Sequence, residues 1–496
     1  MSKRIMELLS RLVALFTVAL MVGCGSIGGL GTDPTKPTPT PTPTGSVITF
    51  GTDAPVCDVE SFVVTITSAS LVPQSGGTPV PLITSTAPAT VEFAHLVDFT
   101  SILNVASSVP AGTYTSLQVT LTNPQLVVIN SATSPPTPQT VPVTLTATTS
   151  TFTISPALVV SSNTMSGLSL EFNLFKSLAV DNNGQVTGTV DPQMTVSANA
   201  ASGSALGAAD SVYGIVQSVS TSSLPTGYTG SFALALGDGA GQTVTVLTNS
   251  STVFEGDGVA NFSELAASTF VEVSLTVNTN GQIVAREVDA EEQTSTTSQT
   301  SAFLGRILNV TRGAGNAAAF GLLVDDEIPD LSSVVPLHST LNVTLAGTVN
   351  YFTNSQVWNR QDFTFGPQTL GVGQKVAVYG GLQAGSTLAA SHVFLRPQNL
   401  LGTFQTLQAA GSDDKTGAFT MVPCSGLFGG QAITAMTYTP TFFTGVSGLT
   451  GLASTPTLDT TGLLYYQQTS GTTPNGASWT APTWVIEAIG VHQPPN

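Results

Sequence analysis

Short runs of apolar and β-branched residues, separated by Gly, Pro and Ser, recur along most of the chain. Near its start they include residues 62–66 (FVVTI), 117–121 (LQVTL), 141–145 (VPVTL) and 152–154 (FTI). Runs this short, rich in Val, Ile, Phe and Thr and bounded by turn formers, are typical of β-strands. The pattern therefore predicts an all-β protein that begins with an antiparallel β-sandwich over residues 47–198.

Four local features of this first domain add to the prediction. Residues 97–106 (VDFTSILNVA) are the one stretch that we interpret as a short helix. Asp53 precedes an Ala-Pro pair, so we expect a turn in which its carboxylate caps backbone amides, with a cation ligand as the alternative. Tyr114 follows a Pro-Ala-Gly turn, and we expect its ring to be buried and its hydroxyl to bond to the backbone. Residues 199–210 are small and almost uncharged, which indicates a flexible domain boundary.

An internal repeat occupies the remainder of the chain. The octapeptides VYGIVQSV, FLGRILNV and LLGTFQTL begin at Val212, Phe303 and Leu400, and each has glycine in third place. The ends of the units, NGQIVAREVDA, AGSTLAASHVFL and TWVIEAIGVH, also resemble one another. Repetition of this kind predicts copies of one supersecondary unit. We assign three small β-barrels to residues 211–292, 302–396 and 400–493.

The joints between the predicted barrels differ in length. Residues 291–300 (EEQTSTTSQT) read as a polar linker between the first two barrels, whereas 397–399 is a much shorter joint. Barrels two and three are therefore expected to pack together or to sit nearly rigidly. The third unit is longer and more divergent, and it departs most from the pattern between Phe419 and Trp479.

Both parts of the chain resemble known bacterial families. The segments TDAPVCDVESFVVTITSASLV, VDFTSILN, VPAGTYTSLQVTL and LSLEFNLFKSLAV follow one another as in the envelope family called domain of unknown function 4382. The motifs at residues 52–55 (TDAP) and 110–114 (PAGTY) are the most specific. The repeats resemble domain of unknown function 5666, with a G-x-V-x-x-V opening and a final G-x-x-x-A-x-x-V strand. This second resemblance implies five- or six-stranded barrels related to the OB fold, and neither family implies a reaction.

The amino terminus predicts where the protein resides. Lys3, Arg4 and Arg11 precede or flank an apolar run that ends in Met-Val-Gly-Cys at Cys24, and the run is too short to span a bilayer. This arrangement resembles the lipobox of bacterial lipoproteins, which implies a signal peptide over residues 1–23. The resemblance also implies lipid attachment at Cys24, with palmitate-type acyl chains. The alternative is an ordinary secretory signal with a chance cysteine.

Residues 24–46 contain the run TDPTKPTPTPTPT, which favours an extended polyproline II stalk between membrane and folded domains. Gly25 and Ser26 follow the cysteine, so the Asp that retains many such lipoproteins at the inner membrane is missing. We therefore expect the cell envelope, and the outer membrane if the source is Gram-negative, on its periplasmic face or on the cell surface.

Composition excludes some functions. Only 8% of residues are charged, the chain has 12 basic residues, and its formal net charge is −17. These values argue against nucleic-acid binding, because phosphate groups are bound mainly by Lys and Arg. A surface made mostly of Thr, Ser, Asn and Gln fits an extracytoplasmic β protein. Besides Cys24, Cys57 and Cys424 fall in different predicted domains. We therefore expect buried free thiols rather than a disulfide, and no zinc site.

Candidate catalytic motifs are weak. The chain has no G-x-S-x-G, and S-x-x-K overlaps K-T-G at Lys415 inside GSDDKTG, which reads as a hairpin turn. His95, His338, His392 and His492 do not pair at metal-ligand spacing. We therefore expect no enzyme activity and no cofactor.

Two stretches carry clustered carboxylates. Asp325, Asp326, Glu327 and Asp330 lie in DDEIPD, and residues 255–264 read EGDGVANFSE. We interpret both stretches as solvated loops, with calcium as the alternative. We expect no metal site at either.

Glycan binding would need exposed aromatic side chains. Trp358, Trp479, Trp484 and the Tyr465–Tyr466 pair are candidates, although core positions are favoured because such barrels need large apolar side chains. The sequence thus predicts a lipid-anchored, non-enzymatic envelope protein that acts as a surface binding or adhesion module for a glycan or protein. The alternative is a periplasmic structural spacer or assembly partner.

Overall fold

Strands account for nearly all the regular structure, which confirms the all-β prediction. The computed structural model describes residues 42–493 apart from 54–55, 97–99, 182–185, 202–204, 237–241, 257–258, 291–299, 329–332, 354–362, 384–385, 455–456 and 473–475. From Pro43 onwards the chain forms one compact unit. Its core is built from the inward-facing Val, Ile, Leu and Phe of alternating strands.

The first domain contains thirteen of the strands that the structure describes, and one short helix. The strands are β1 (Thr44–Asp53), β2 (Val59–Pro73), β3 (Val80–Ile83), β4 (Ala89–Glu92), β5 (Ser101–Pro110), β6 (Gly112–Asn130), β7 (Thr137–Val141), β8 (Thr144–Leu145), β9 (Thr149–Val160), β10 (Met165–Phe172), β11 (Leu178–Val180), β12 (Val186–Val190) and β13 (Met194–Asn199). Helix α1 is Leu174–Ser177, and Phe93–His95 form a 3-10 turn.

The main sheet of this domain follows the order β3-β2-β6-β9-β13-β10-β1-β5, with β4 added beside β2 and β7 beside β6. Most neighbours are antiparallel, but β1 runs parallel to β10, so the sheet is mixed. The amide of Asn104 in β5 donates to the carbonyl of Leu82 in β3 at 2.8 Å, which brings the two ends of the sheet together around the core. Strands β11, β12 and β8 form a second, small sheet.

Three predicted details of this domain are wrong. Residues 101–106 belong to strand β5 rather than to a helix, and 97–99 lie outside the described residues. The predicted strand 141–145 is divided, because β7 ends at Val141 and β8 begins at Thr144. The predicted boundary at 199–210 already contains the start of the next long strand, at Ala205.

The rest of the chain folds into three barrels with one strand order. Barrel 1 contains β14 (Ala205–Ser220), β15 (Gly230–Leu236), β16 (Thr243–Thr248), β17 (Val253–Gly256), β18 (Phe270–Asn278) and β19 (Ile283–Ala290). Barrel 2 contains β20 (Thr300–Gly313), β21 (Asn316–Ile328), β22 (Thr340–Thr344), β23 (Asn350–Thr353), β24 (Lys375–Gln383) and β25 (Thr387–Leu395). Barrel 3 contains β26 (Gln398–Ala410), β27 (Gly417–Pro423), β28 (Ile433–Thr437), β29 (Phe442–Thr444), β30 (Thr457–Gln467) and β33 (Thr483–His492), with a hairpin of β31 (Gly471–Thr472) and β32 (Ser478–Trp479). Further 3-10 turns are Phe262–Glu264, Gly426–Phe428 and Leu449–Ser454.

Each barrel closes in the same way. In barrel 1 the order is β16-β15-β14-β18-β19, and a pairing between β16 and β19 joins the ends into a ring of five strands, with β17 added outside beside β19. The pairings β22–β25 and β28–β33 close the other two barrels. The divergent third unit therefore keeps the fold of the first two, as the repeat predicted.

The glycines that defined the repeat have a common physical role. Gly214, Gly305 and Gly402 each lie on the first strand of a barrel, where a Cβ atom would approach a carbonyl oxygen of the neighbouring strand to 2.4, 1.8 and 2.5 Å. Real Cβ atoms do not tolerate such contacts. Only glycine therefore allows these strands to approach as closely as the closed barrel requires.

Neighbouring domains share apolar clusters. Ile48, Phe50 and Ile102 of the first domain pack into the core of barrel 1. Barrels 2 and 3 share another cluster that includes Phe365 and Tyr465, and the indole of Trp484 in barrel 3 donates to the carbonyl of Val372 at 2.9 Å. The short joint between β25 and β26 fits the predicted close packing of barrels 2 and 3.

Candidate functional site at the domain junction

A pocket lies where the first domain, barrel 2 and barrel 3 meet. Its cavity measures about 90 Å³. Loop and strand residues 56–60 of the first domain form one wall, Arg306 and Lys375 of barrel 2 form a second, and residues 423–425 of barrel 3 form a third. Ligand sites occur preferentially at such domain boundaries, so this pocket is the principal candidate site.

A disulfide forms part of the pocket wall and corrects our expectation of two free thiols. Cys57 of the first domain is bonded to Cys424 of barrel 3, across a sequence separation of 367 residues, with Cα atoms 5.6 Å apart. The two cysteines belong to different domains, as predicted. Those domains pack against each other, however, so the cysteines meet in space.

The residue after Cys57 reinforces this connection. Asp58 has a φ of +55°, a left-handed conformation that Asp tolerates better than most residues. Its Oδ1 accepts hydrogen bonds from the hydroxyl of Ser425 and the amide of Gly426, both at 2.9 Å. Burial raises the pKa of Asp58, although these two hydrogen bonds oppose the rise. The carboxylate therefore helps to fasten the first domain to barrel 3.

An ion pair fastens the first domain to barrel 2. The Arg306 Nε lies 2.8 Å from both carboxylate oxygens of Glu60, which is 5% exposed, and Nη1 donates to the carbonyl of Gly373 at 3.1 Å. Burial alone would lower the pKa of Arg306, but the charge of Glu60 raises it. Arg306 follows the repeat glycine where the other barrels have Ile215 and Thr403. That basic residue directly after the repeat glycine was the sequence signal that we missed.

Two further carboxylates, Glu92 and Asp325, interact electrostatically with the charged residues of this junction. Glu92 accepts hydrogen bonds from the hydroxyl of Ser61 and from the amides of Phe62 at 2.6 Å and Ala94 at 3.1 Å. Burial raises its pKa to about 7, although these hydrogen bonds oppose the shift. Burial, followed by the charge of Glu60, raises the pKa of Asp325 well above its usual value.

The position of Asp325 corrects the interpretation of the DDEIPD stretch as a solvated loop. Residues 325–327 belong to strand β21, and Glu327 is 4% exposed. Asp330 lies outside the described residues. Asp325, Asp326 and Glu327 therefore lie in a strand rather than in a solvated loop.

A second buried charge cluster joins barrels 1 and 2. The guanidinium of Arg396, 3% exposed, forms an ion pair with Glu272 and lies 4.0 Å from Asp289. It also lies 5.8 Å from the centres of the Tyr213 and Phe394 rings, within cation–π range. Tyr213, Glu272 and Asp289 are register partners on β14, β18 and β19, so the strand pairing itself places them on one face.

Other predicted residues occupy structural positions. The GSDDKTG segment is the turn between β26 and β27, as expected, and Asp413 accepts from the amides of Lys415 and Thr416. Tyr114 is 2% exposed and donates to the carbonyl of Pro110 at 2.7 Å, which confirms its predicted role. Asp53 ends strand β1, and its carboxylate accepts from the amide of Leu174 at 3.2 Å, whereas the turn predicted there falls on residues 54–55, which lie outside the described residues.

The histidines whose side chains are described, His338, His392 and His492, lie in separate elements. His338 has a φ of +59°, and burial lowers its pKa. His392 contacts Asn350 at 3.2 Å and the hydroxyl of Ser391 at 3.0 Å, and His492 ends strand β33. His95 lies in the first 3-10 turn.

The other acidic stretch is divided between elements. Glu255 lies in β17 and Glu264 in a 3-10 turn, where it accepts from the amide of Ala260 at 2.7 Å. Among the described residues, no three His, Cys, Asp or Glu side chains are grouped so as to hold a metal ion.

The aromatic candidates that the structure describes are buried or half-buried. Tyr465 and Trp484 are 0% and 9% exposed, which confirms the favoured core positions. Trp479 is half-buried and donates to the carbonyl of Thr469 at 2.9 Å, and Tyr466 packs edge-on against Trp484. Trp358 lies outside the described residues, as do Cys24, the predicted stalk up to residue 41 and the predicted linker at 291–299.

Comparison with protein families identifies two of the modules. Residues 44–187 match the model of a family described as Domain of unknown function (DUF4382), and residues 213–289 match one described as Domain of unknown function (DUF5666). These matches confirm both resemblances for the first domain and barrel 1. No curated protein matches the chain. Within the described ranges, no helix is long and apolar enough to cross a bilayer.

Proposed function

We propose that this protein is a rigid, non-catalytic scaffold of the bacterial cell envelope, anchored through lipid at Cys24. The observation that carries this proposal is the Cys57–Cys424 disulfide, which ties the first domain to the last barrel. Structural disulfides persist in oxidising, extracytoplasmic compartments and are rare in the bacterial cytosol. The bond therefore supports the location that the lipobox at Cys24 implies.

Rigidity follows from how the modules are joined. Every described domain junction has a specific connection as well as apolar packing: Arg306–Glu60, Cys57–Cys424, Arg396–Glu272 and Trp484–Val372. At the junction of the first domain and barrel 1, the amide of Met165 donates to the carbonyl of Thr279 at 2.9 Å. A spacer or assembly partner requires fixed distances between its surfaces, and this fused body would provide them.

The use of the junction carboxylates supports a non-catalytic role. A residue that acts as a general acid or base must itself lie within hydrogen-bonding distance of the substrate. Glu60 is paired with Arg306, Asp58 accepts from barrel 3, and Asp53 accepts from Leu174. These groups thus serve contacts between and within domains.

Surface binding is the second candidate function. Phe442 on β29 is 67% exposed, and Phe352 on β23 is 41% exposed and stacks on Phe394 at 4.7 Å. Exposed rings on two short outer strands would suit contact with a glycan or protein partner.

The proposal is tested by fractionating cells that express the native protein or a Cys24→Ala variant. We expect the native protein in the membrane fraction and the variant released into the soluble envelope fraction. Protease treatment of intact cells then separates surface display, which favours binding, from periplasmic exposure, which favours the scaffold. A Cys24→Ala protein that stays on the membrane would refute the anchor, and cytosolic native protein would refute the whole proposal.

A further inference from the structure

The junction pocket is lined by both cationic and anionic side chains, and some of their polar atoms make no hydrogen bond with the described residues. The amide of Lys375 donates to Gln398, but its ammonium group forms no hydrogen bond or close ion pair with the described part of the chain. The Nη2 of Arg306 likewise has no hydrogen-bond partner there, because the pair with Glu60 uses Nε. One side of the pocket therefore offers cationic donors.

The wall formed by the first domain offers a carboxylate oxygen. Asp58 uses Oδ1 for Ser425 and Gly426, and Oδ2 forms no hydrogen bond with the described residues. Asp58 is held in its left-handed conformation directly beside the disulfide. The acceptor comes from the first domain, whereas the cationic donors come from barrel 2.

We propose that this pocket binds a small zwitterion of the amino-acid type, with its carboxylate at Lys375 and Arg306 and its ammonium group at Asp58. A purely anionic ligand would meet the carboxylates of Asp58, Asp53 and Glu60, and a purely cationic one would meet Lys375 and Arg306. A zwitterion satisfies both walls at once.

The size of the cavity sets the size of the ligand. At about 10–15 Å³ for each water-sized position, a cavity of about 90 Å³ holds about six to nine non-hydrogen atoms. Alanine, serine and aspartate fall in this range. The proposal goes beyond the scaffold function, because the modules would remain fused whether or not the pocket is occupied.

Isothermal titration of the full-length protein in detergent with alanine and serine tests the proposal. We expect a dissociation constant of about 1 mM or tighter for at least one of them. Propionate lacks the ammonium group and propylamine lacks the carboxylate, so each should bind at least about tenfold more weakly. Absence of zwitterion binding at about 10 mM, or equal binding of propionate or propylamine, would overturn the proposal.

Two variants and a matched control assign the binding to the pocket. Asp58→Asn keeps Oδ1 as an acceptor and tolerates the left-handed conformation, and Lys375→Met keeps the length of the side chain. Each should weaken binding at least about tenfold, whereas Lys415→Met, in the exposed turn of barrel 3, should leave it unchanged. If the melting temperature of Lys375→Met shows that it misfolds, Lys375→Arg replaces it and should bind within about tenfold of the native protein. Native-like affinity in a folded Asp58→Asn or Lys375→Met protein, or a loss in Lys375→Arg, would refute the site.

Discussion

Removing the disulfide should destabilise the fused body more than any other single change that we consider. In the chain-entropy treatment the stabilisation grows with the length of the closed loop, and the loop between Cys57 and Cys424 spans 367 residues. At 25 °C the relation gives about 6 kcal/mol, whereas native disulfides removed from proteins typically cost about 2–5 kcal/mol. We therefore expect the double variant Cys57→Ala/Cys424→Ala to lose about 4 kcal/mol of unfolding free energy.

Urea unfolding measures this loss. The indole of Trp484 lies between barrels 2 and 3 and is 9% exposed, so tryptophan fluorescence should report the opening of that interface. Without the disulfide the unfolded chain is less compact, so the denaturant slope should increase as the midpoint falls. Native protein treated with a reductant should behave like the double variant, which provides an independent route to the same state.

One outcome would refute this reasoning. If the oxidised native protein and the double variant have unfolding free energies within about 0.5 kcal/mol, the link does not restrain the unfolded chain. The disulfide would then not hold the first domain to barrel 3 in the way the structure shows.

Three other predictions concern the junctions and the barrels. Replacing Arg306 by Met removes the ion pair of the buried Glu60 carboxylate and should cost about 3 kcal/mol in urea unfolding, with much of the loss recovered on adding Glu60→Gln. A cost below about 0.5 kcal/mol would contradict the ion pair. The folded-state pKa of Glu92, about 7, lies above the ordinary value of 4.5, so the folded state keeps its proton longer than the unfolded state does. Stability should therefore be greatest below about pH 4.5 for this group and fall by up to about 3 kcal/mol as pH rises to 7, and Glu92→Gln should flatten that part of the curve; an unchanged slope would disprove the assignment. Gly305→Ala places a Cβ 1.8 Å from a carbonyl oxygen and should lower stability by about 3 kcal/mol, whereas Gly313→Ala enters open space and should change it by less than about 1 kcal/mol; equal effects would contradict the close-approach argument.

The repeat was visible in the sequence because its cause is local. At Gly214, Gly305 and Gly402 the neighbouring strand lies too close for a Cβ atom, so each barrel has glycine there. The alternating apolar residues around these glycines form the buried face of the strand. The stretch after Phe419 departs from the repeat pattern, but it keeps the barrel fold. Strand order was retained there because the positions that pack inward, such as Met421 and Ile433, stay apolar.

The failures have a tertiary cause. Residues 101–106 resemble a helix because adjacent apolar residues are both buried: Ile102 packs into the cluster shared with barrel 1 and Leu103 into the core of the first domain. A strand buried on both faces loses its alternation, and β5 pairs with β1 through irregular register shifts. Sequence pattern alone cannot distinguish that arrangement from a short helix.

The candidate site was even less accessible to sequence reasoning. Cys57 and Cys424 come together only because the first domain packs against the last barrel, and spacing does not determine such a pairing. Asp325 belongs to an acidic run that reads as a loop, yet it lies in β21 near charges from another domain. The unusual signal was Arg306, a basic residue next to the repeat glycine in a chain with few basic residues.

Thiol labelling of the denatured protein tests the central claim most directly. Cells expressing the native protein are fractionated, and the membrane fraction is denatured and treated with a large maleimide reagent, with or without prior reduction, before separation by mass on a denaturing gel. We expect the protein in the membrane fraction, with no labelling of Cys57 or Cys424 without reduction and labelling of both after it. Labelling of either cysteine without reduction would contradict the fused extracytoplasmic scaffold proposed for this chain.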